Sequence, residues 1–186
     1  MTSDTRDRLG AAVLLSIREH GYAGTSMQDL LRRTGVSSSS MYHFFPGGKE
    51  ELVATAVRAH GLNAAERVAE VLDREGSAAA IERIFDAAAS EMERHDFALG
   101  CAIGVPATEA PADSALIRDA VAEVFAAWAA AYSAGLQNDG IDAERAERLG
   151  RFIVAAYEGS VTLARSTRST QPYRDASTLL VGQLAG

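Results

Sequence analysis

Residues 24–52 read GTSMQDLLRRTGVSSSSMYHFFPGGKEEL, and this stretch decides the fold of the N-terminal part of the chain. The hydroxyl of Ser26 can accept a hydrogen bond from the amide of Asp29, which predicts the start of a helix. The carboxylate of Asp29 would then lie in the first turn, where it interacts favourably with the helix dipole. A short helix is therefore expected to run to Thr34 and to stop at the tight turn that begins with Gly35.

A second short helix follows this turn. Ser37 is its N-cap candidate, and the helix, Ser38 to Phe44, must end before Pro46 because the residue that precedes a proline disfavours helical backbone. A longer helix, roughly Thr5 to His20, comes before both and is expected to end at a left-handed C-cap, Gly21. Two short helices joined by a three- or four-residue turn that contains glycine predict a helix-turn-helix.

The second helix of such a unit enters the major groove of DNA with its N-terminal residues toward the bases. Small hydroxylated side chains suit close contact with phosphates or base edges, and an aromatic and a histidine extend the same polar face. The only lysine lies at the start of the following helix, where it can hold a phosphate. The candidate DNA-binding residues are Ser37, Ser38, Ser39, Ser40, Tyr42, His43 and Lys49. The other interpretation is a polar loop and cap, with Tyr42 in the core.

Apolar residues recur at helical spacing through the rest of the chain, as in Ile81, Phe85 and Met92. Alternating strand patterns are absent from the sequence, and breaks rich in glycine, proline and asparagine divide it into about nine helices. The expected fold is all-α. It comprises an N-terminal helix-turn-helix DNA-binding domain over residues 1–62 and a C-terminal helical ligand-binding and dimerisation domain over residues 63–186.

The 186 residues are 47% apolar and 23% charged, which is typical of a globular protein. Residues 1–60 carry seven Lys or Arg against six Asp or Glu, while the remaining residues carry eleven against nineteen. This asymmetry favours contact of the N-terminal part alone with a polyanion. No apolar run reaches the ~18 residues of a membrane-spanning helix, and the N-terminus lacks the pattern of a signal peptide. We therefore expect a cytoplasmic protein with no membrane partner.

Residues suited to catalysis or metal binding are few. Cys101 is the only cysteine, which excludes an internal disulfide and a cysteine-based zinc cluster. His43 has no His or Cys three or four residues on, and the pair His95 and Cys101 lacks an orienting third group. The sequence contains no nucleophile elbow, metal motif or glycine-rich phosphate loop. We expect no enzyme activity, no catalytic or metal-binding residue and no cofactor.

An ordered set of short motifs over roughly residues 5–55 makes the chain resemble the TetR family of transcriptional regulators. These motifs are Gly24-Thr25-Ser26, Asp29-Leu30-Leu31, Gly35-Val36-Ser37, Ser40-Met41-Tyr42-His43-Phe44-Phe45 and Lys49-Glu50-Glu51-Leu52. The loop before Lys49, one residue longer than the commonest form, is similar to that of the LmrA and YxaF branch. Gly100-Cys101 followed by Glu109 is compatible with that branch.

The resemblance implies a homodimeric repressor that binds a palindromic double-stranded DNA operator. It also implies release of the operator when a small hydrophobic effector, often aromatic in this branch, binds the C-terminal domain. The family's usual DNA-contact positions correspond to Ser40, Tyr42, His43 and Lys49. An Arg-Gly pair is common in the family where this chain has Ser38 and Ser39, so the operator sequence does not follow from the resemblance.

Candidates for the effector pocket are aromatic and sulfur-containing residues, because alanine-rich helices leave volume that aromatic rings only partly fill. They are Met92, Phe97, Cys101, Phe125, Trp128, Tyr132 and Tyr157. Glu109 or Glu158 could orient a polar group of the ligand. The simpler interpretation is that the rings form ordinary core and that both carboxylates are solvated.

Residues 143–165 show two apolar faces, one through Leu149 and Leu163 and one through Phe152. One face can pack on the protein's own core, which leaves the other for a partner, beside a second amphipathic helix over 178–184. A homodimer built on a four-helix bundle is expected, and a wholly internal helix is the alternative.

A ligand-responsive DNA-binding repressor is the function that these patterns favour. A helical enzyme acting on a small apolar substrate and a helical dimer that scaffolds other proteins without DNA are the alternatives. The enzyme would require a catalytic constellation, and the scaffolding dimer would not shift upstream DNA in electrophoresis.

Overall fold

The computed structural model describes the backbone of residues 2–184 and the side chains of residues 5–184. Over that range the chain forms nine α-helices and no strand, which confirms the expected all-α fold. No described helix combines the length and the apolar character that crossing a membrane requires. The helices are α1 (Thr2–Gly24), α2 (Met27–Thr34), α3 (Ser38–Phe44), α4 (Gly48–Glu75), α5 (Ser77–Arg94), α6 (Gly104–Glu109), α7 (Ala115–Asn138), α8 (Ala143–Thr167) and α9 (Gln171–Leu184).

The described chain folds into two compact units. The first holds α1, α2, α3 and α6 with the first parts of α4 and α7, and it spans residues up to 60 together with 100–124. The second holds α5, α8 and α9 with the remaining parts of α4 and α7. The expected boundary near residue 62 lies close to the end of the first stretch. Residues 100–124, which were expected in the C-terminal domain, belong to the first unit.

The core of the first unit forms around one stripe of α1. Leu9, Val13 and Ile17 recur every four residues and are fully buried. Leu30 of α2 and Met41 of α3 are each only 1% exposed. Full burial of such a side chain stabilises the fold by about 1.5–3 kcal/mol, so apolar packing fixes both short helices in the unit.

α1 is interrupted, and not capped, at Gly21. This residue has φ 77° and ψ 174°, a backbone region that is essentially restricted to glycine, and helical structure resumes up to Gly24. The left-handed cap expected here is therefore wrong in its ψ angle, although the need for glycine is confirmed. The extra turn carries Tyr22.

In the second unit α5 packs against α8 and α9, and α8 also packs against α9. Edge-to-face rings join these helices: Phe85 lies 5.7 Å from Tyr157 and 6.4 Å from Tyr173, measured between ring centroids. Asp142 caps the N-terminus of α8, and its side chain accepts a hydrogen bond from the Arg145 amide at 2.9 Å. The second unit is thus a helical bundle with an aromatic core.

Candidate functional site

α2 and α3 begin at serine N-caps, as the sequence predicts. Ser26 Oγ accepts a hydrogen bond from the Asp29 amide at 3.4 Å, and Ser37 Oγ accepts one from the Ser40 amide at 3.1 Å. Gly35 ends α2 in a left-handed conformation with φ 66°. The predicted bounds of both helices are confirmed. A hydroxyl that accepts a hydrogen bond can also donate one, so Ser37 retains its O–H for a ligand.

α3 has one buried and one exposed face. Met41 points into the core, while Tyr42 is 55% exposed. Ser38, Ser39 and His43 are also exposed. Positions 38 and 42 are about one helical turn apart, and so are positions 39 and 43. All four therefore lie on the outward face of the helix. The structure therefore presents four of the candidate DNA-binding side chains together, with Ser40 half-buried beside them.

Two arginines of α1 bind the carbonyl ends of the short helices. Arg8 Nη2 donates to the carbonyl oxygen of Thr34, the last residue of α2. Arg6 Nη2 lies 3.4 Å from the carbonyl oxygen of Phe44 at the end of α3, and its guanidinium lies 5.4 Å from the Phe45 ring centroid. Cations at helix C-termini interact favourably with the unpaired carbonyls and the helix dipole. Sequence reasoning missed both arginines, of which Arg8 contacts the end of α2 and Arg6 the end of α3.

Lys49 contacts the extra turn of α1. Its Nζ donates to the carbonyl oxygen of Tyr22 at 2.5 Å and lies 4.3 Å from the centroid of the Tyr22 ring. Partial burial lowers the pKa of Lys49, and burial together with the charge of Glu50 raises the pKa of Tyr22. An ammonium group has three N–H donors, so contact with Tyr22 leaves donors for a phosphate.

The loop before α4 uses its amides internally. Gly47 N–H donates to Glu51 Oε2 at 2.7 Å, and Gly48 N–H donates to the Phe45 carbonyl oxygen at 2.9 Å. The sequence prediction of a phosphate contact concerns Lys49 and the amides that follow these two glycines. Lys49, the candidate for a phosphate contact in this loop, directly follows these two glycines.

Glu109 lies in the first unit, at the end of α6. Its Oε2 accepts a hydrogen bond from the Tyr22 amide at 2.8 Å, next to the break at Gly21. Tyr22 therefore donates its amide N–H to Glu109 and accepts a hydrogen bond from Lys49 at its carbonyl oxygen. This carboxylate binds backbone, whereas the sequence left ligand contact and a solvated carboxylate as the two interpretations.

A cavity of about 470 Å³ lies within the second unit. Its volume falls in the range of small-molecule sites, and its walls are mostly apolar with a few charged groups. Its lining comes from four helices and consists of Ala64, Arg67, Val68, Val71, Ile84, Ala87, Ala88, Glu91, Arg94, Trp128, Tyr132, Val154 and Tyr157.

Three of the seven candidate pocket residues line this cavity, namely Trp128, Tyr132 and Tyr157. Met92 is buried, and Phe125 packs edge-on against the Trp128 ring at 5.8 Å between centroids.

The two other candidates lie away from the cavity walls. Phe97 lies under the guanidinium of Arg168, at 5.7 Å, and Cys101 is a half-buried residue of the first unit. The lining residues of α4 and α5 were missed, although their spacing of three and four residues marks one face of each helix.

Among the described residues no group of three or more His, Cys, Asp or Glu side chains is placed to hold a metal ion.

Trp128 is oriented in the cavity wall by its Nε1, which donates to the Gly61 carbonyl oxygen at 2.8 Å. The arrangement can therefore bind a hydrophobic ligand by its walls and a polar substituent by a few side chains.

Two family models match the chain. Residues 11–56 match the bacterial regulatory proteins of the tetR family, and residues 77–179 match the C-terminal domain of LmrA/YxaF-like transcriptional regulators. The uncharacterized HTH-type transcriptional regulator Rv0196 of Mycobacterium tuberculosis is 30% identical over 188 residues, covering 96% of this chain and 95% of its own. LmrA of Bacillus subtilis is 25% identical over 170 residues, covering 91% and 90%. The reduced form of NemR from E. coli has the same fold, with a TM-score of 0.81 at 20% identity over 95% of both chains.

A helix-turn-helix with an outward polar face, together with these relatives, defines a transcriptional regulator and not an enzyme. The chain belongs to the TetR family, and its C-terminal part is of the LmrA/YxaF-like type. The resemblance of residues 5–55 to this family and to this branch is confirmed.

Proposed function

We propose that this protein is a ligand-responsive repressor, released from its operator by a small hydrophobic or aromatic effector. The observation that carries the proposal is the cavity of about 470 Å³ in the second unit of a chain whose first unit presents an exposed recognition helix. Aromatic side chains of α7 and α8 supply the flat, apolar walls that suit an aromatic ring.

The outward face of α3 reads the operator. Ser38, Ser39, Tyr42 and His43 are exposed at the N-terminal and middle turns, where a recognition helix meets base edges. Ser37, Ser40 and Lys49 bind backbone phosphates, which position the helix without reading sequence.

The protein acts as a homodimer through α8 and α9. Phe152 and Leu163 of α8 are 58% and 55% exposed, and Leu179 of α9 is 69% exposed. Phe152 and Leu163 are separated by eleven residues, about three turns, so they share one face although the sequence pattern had assigned them to different faces. Nothing lies within 4 Å of a Cβ built on Gly159 between them, so a partner helix can approach closely.

α4 belongs to both units. α4 begins at Gly48, next to Lys49, and its later residues Ala64, Val68 and Val71 line the cavity. Operator and effector then compete through their differential affinity for two conformations.

Selection from a random pool of duplex DNA tests the proposal. The full-length protein at low salt should enrich one sequence with two inverted half-sites, because a two-fold dimer presents two recognition helices about one helical turn of DNA apart or a multiple of it. Ser39→Ala should change the enriched bases, while Arg83→Gln, remote from the helix-turn-helix in sequence and placed in the second unit, should leave them unchanged. Enrichment of no sequence would refute the proposal and favour a scaffolding dimer.

A further inference from the structure

The cavity walls carry positive charge in an acidic part of the chain. Residues 61–99 contain nine Asp or Glu and only four Arg. Two of these four arginines, Arg67 and Arg94, line the cavity, whereas Glu91 is the only acidic residue among its walls. The charge of the cavity is thus opposite in sign to that of the helices that form it.

The two cavity arginines lack carboxylate partners, unlike the other two. Arg74 and Arg83 both pair with Glu75, at 2.8 and 3.1 Å. Arg67 donates to the neutral amide oxygen of Asn63 at 3.0 Å. Arg94 has no hydrogen-bond or ion-pair partner among the residues that the structure describes. A guanidinium presents five N–H donors in a planar fork that fits a carboxylate in a bidentate manner.

A buried phenol adds a third donor. Tyr132 lines the cavity, is 4% exposed, and has no hydrogen-bond partner for its hydroxyl within the described part of the chain. A hydroxyl without a partner can donate to an acceptor on a ligand in the cavity. Burial also raises the pKa of Tyr132, which keeps the phenol protonated and able to donate.

Glu91 does not reverse this preference. Glu91 already makes an interaction within the protein. A cationic ligand would face one carboxylate and two guanidiniums, whereas an anionic ligand would face two guanidiniums that lack an ionic partner.

Resting on the proposed function, we infer that the effector is a hydrophobic carboxylate whose ring lies against Trp128 and Tyr157 and whose carboxylate is bound by Arg94 and Arg67. Charge-assisted hydrogen bonds of this kind are shorter and about twice as strong as neutral ones. The cavity therefore selects acids over neutral molecules of the same shape.

Calorimetric titration of the full-length protein with three naphthalene probes tests this inference. 2-Naphthoate, 2-naphthamide and 2-naphthylmethylammonium share one ring system and differ in charge. The naphthoate should bind about tenfold to a hundredfold more tightly than the amide, which is the range for a hydrogen bond to a charged group. Arg94→Gln combined with Arg67→Gln should abolish that difference and leave amide binding unchanged. Arg83→Gln, whose arginine pairs with Glu75, is the matched control and should keep the wild-type preference.

The outcomes separate this inference from the proposed function. Equal binding of acid and amide, or tighter binding of the ammonium compound, would overturn the inference and leave the cavity as a hydrophobic effector site. Unchanged selectivity in the double variant would also overturn it. Failure of all three probes to bind at millimolar concentration would count against both the inference and the aromatic effector site.

Discussion

Gly21→Ala should destabilise the first unit more than any other glycine substitution at an exposed turn. Gly21 has φ 77° and ψ 174°, and an added Cβ would lie 2.3 Å from Glu109 Oε2. That oxygen is the one that accepts the hydrogen bond from the Tyr22 amide. The substitution therefore strains the backbone and displaces the carboxylate at the same time.

The size of the effect follows from these two contributions. A non-glycine residue in this backbone region costs of order 1–3 kcal/mol. Rotating Glu109 out of the way relieves the clash but loses an exposed hydrogen bond, which is worth about 1 kcal/mol. We expect the free energy of unfolding to fall by about 2–4 kcal/mol.

Urea unfolding at one fixed protein concentration measures this change, because the stability of a dimer depends on concentration. Gly35→Ala is the matched control: Gly35 also has a positive φ, 66°, but nothing lies within 4 Å of its added Cβ. It should cost only the left-handed penalty of about 1–2 kcal/mol. A double-mutant cycle of Gly21→Ala with Glu109→Ala should give a coupling of about 1 kcal/mol, because the substitution at position 21 already removes the hydrogen bond that Glu109 makes.

The reasoning would be refuted by a Gly21→Ala protein as stable as the Gly35→Ala protein. Zero coupling between positions 21 and 109 would refute the part that concerns the carboxylate and leave the backbone strain as the whole effect.

The remaining predictions concern DNA binding, assembly and the cavity. Lys49→Ala should weaken binding to all duplexes alike and reduce the slope of log affinity against log salt concentration by about 0.9, whereas Ser39→Ala should change sequence preference at constant slope. Anisotropy at several salt concentrations measures both effects. An unchanged slope for Lys49→Ala would refute the phosphate contact of Lys49. Leu163→Glu should convert a dimer of 19.6 kDa chains to monomers in light scattering, and a monomeric parent protein would contradict the proposed dimer face. Trp128→Phe removes the 2.8 Å hydrogen bond to Gly61 and should lower the free energy of unfolding by about 1 kcal/mol in urea, with no loss expected if that bond is absent in solution.

The helix-turn-helix could be predicted because its signals are local. Each short helix begins at a serine whose Oγ accepts a hydrogen bond from the amide three residues on. Each ends just before residues whose backbone preferences disfavour a helix. The apolar spacing of α1 likewise identifies its buried stripe, Leu9, Val13 and Ile17. Such features need no knowledge of what lies elsewhere in the chain.

The contacts that orient these helices could not be predicted, because their partners are distant in sequence. Arg8 binds a carbonyl 26 residues away, and Arg6 binds one 38 residues away. Glu109 reaches Tyr22 across 87 residues, which explains why sequence reasoning offered its carboxylate only a ligand or solvent as partner. A lone charged side chain carries no signal of which backbone group it will meet.

The cavity was predicted in part for a similar reason. Aromatic residues of α7 and α8 could be nominated from residue type alone, and three of them line the cavity. The spacing marks one face of α4 and one of α5 but does not show which helices those faces meet, so Val68, Ile84 and the two arginines could not be assigned to the cavity. Residue type also nominated Cys101, although it belongs to the first unit.

Coupling between effector and operator is the central claim, and one titration tests it directly. Hydrophobic aromatic acids are added to the full-length protein on its selected operator while Trp128 fluorescence and operator anisotropy are followed together. Both signals should change over the same concentration range, and a coupling of ~3 kcal/mol would weaken operator binding about 150-fold, with the operator weakening effector binding by the same factor. A ligand that saturates the Trp128 signal while operator affinity stays constant would contradict the claim.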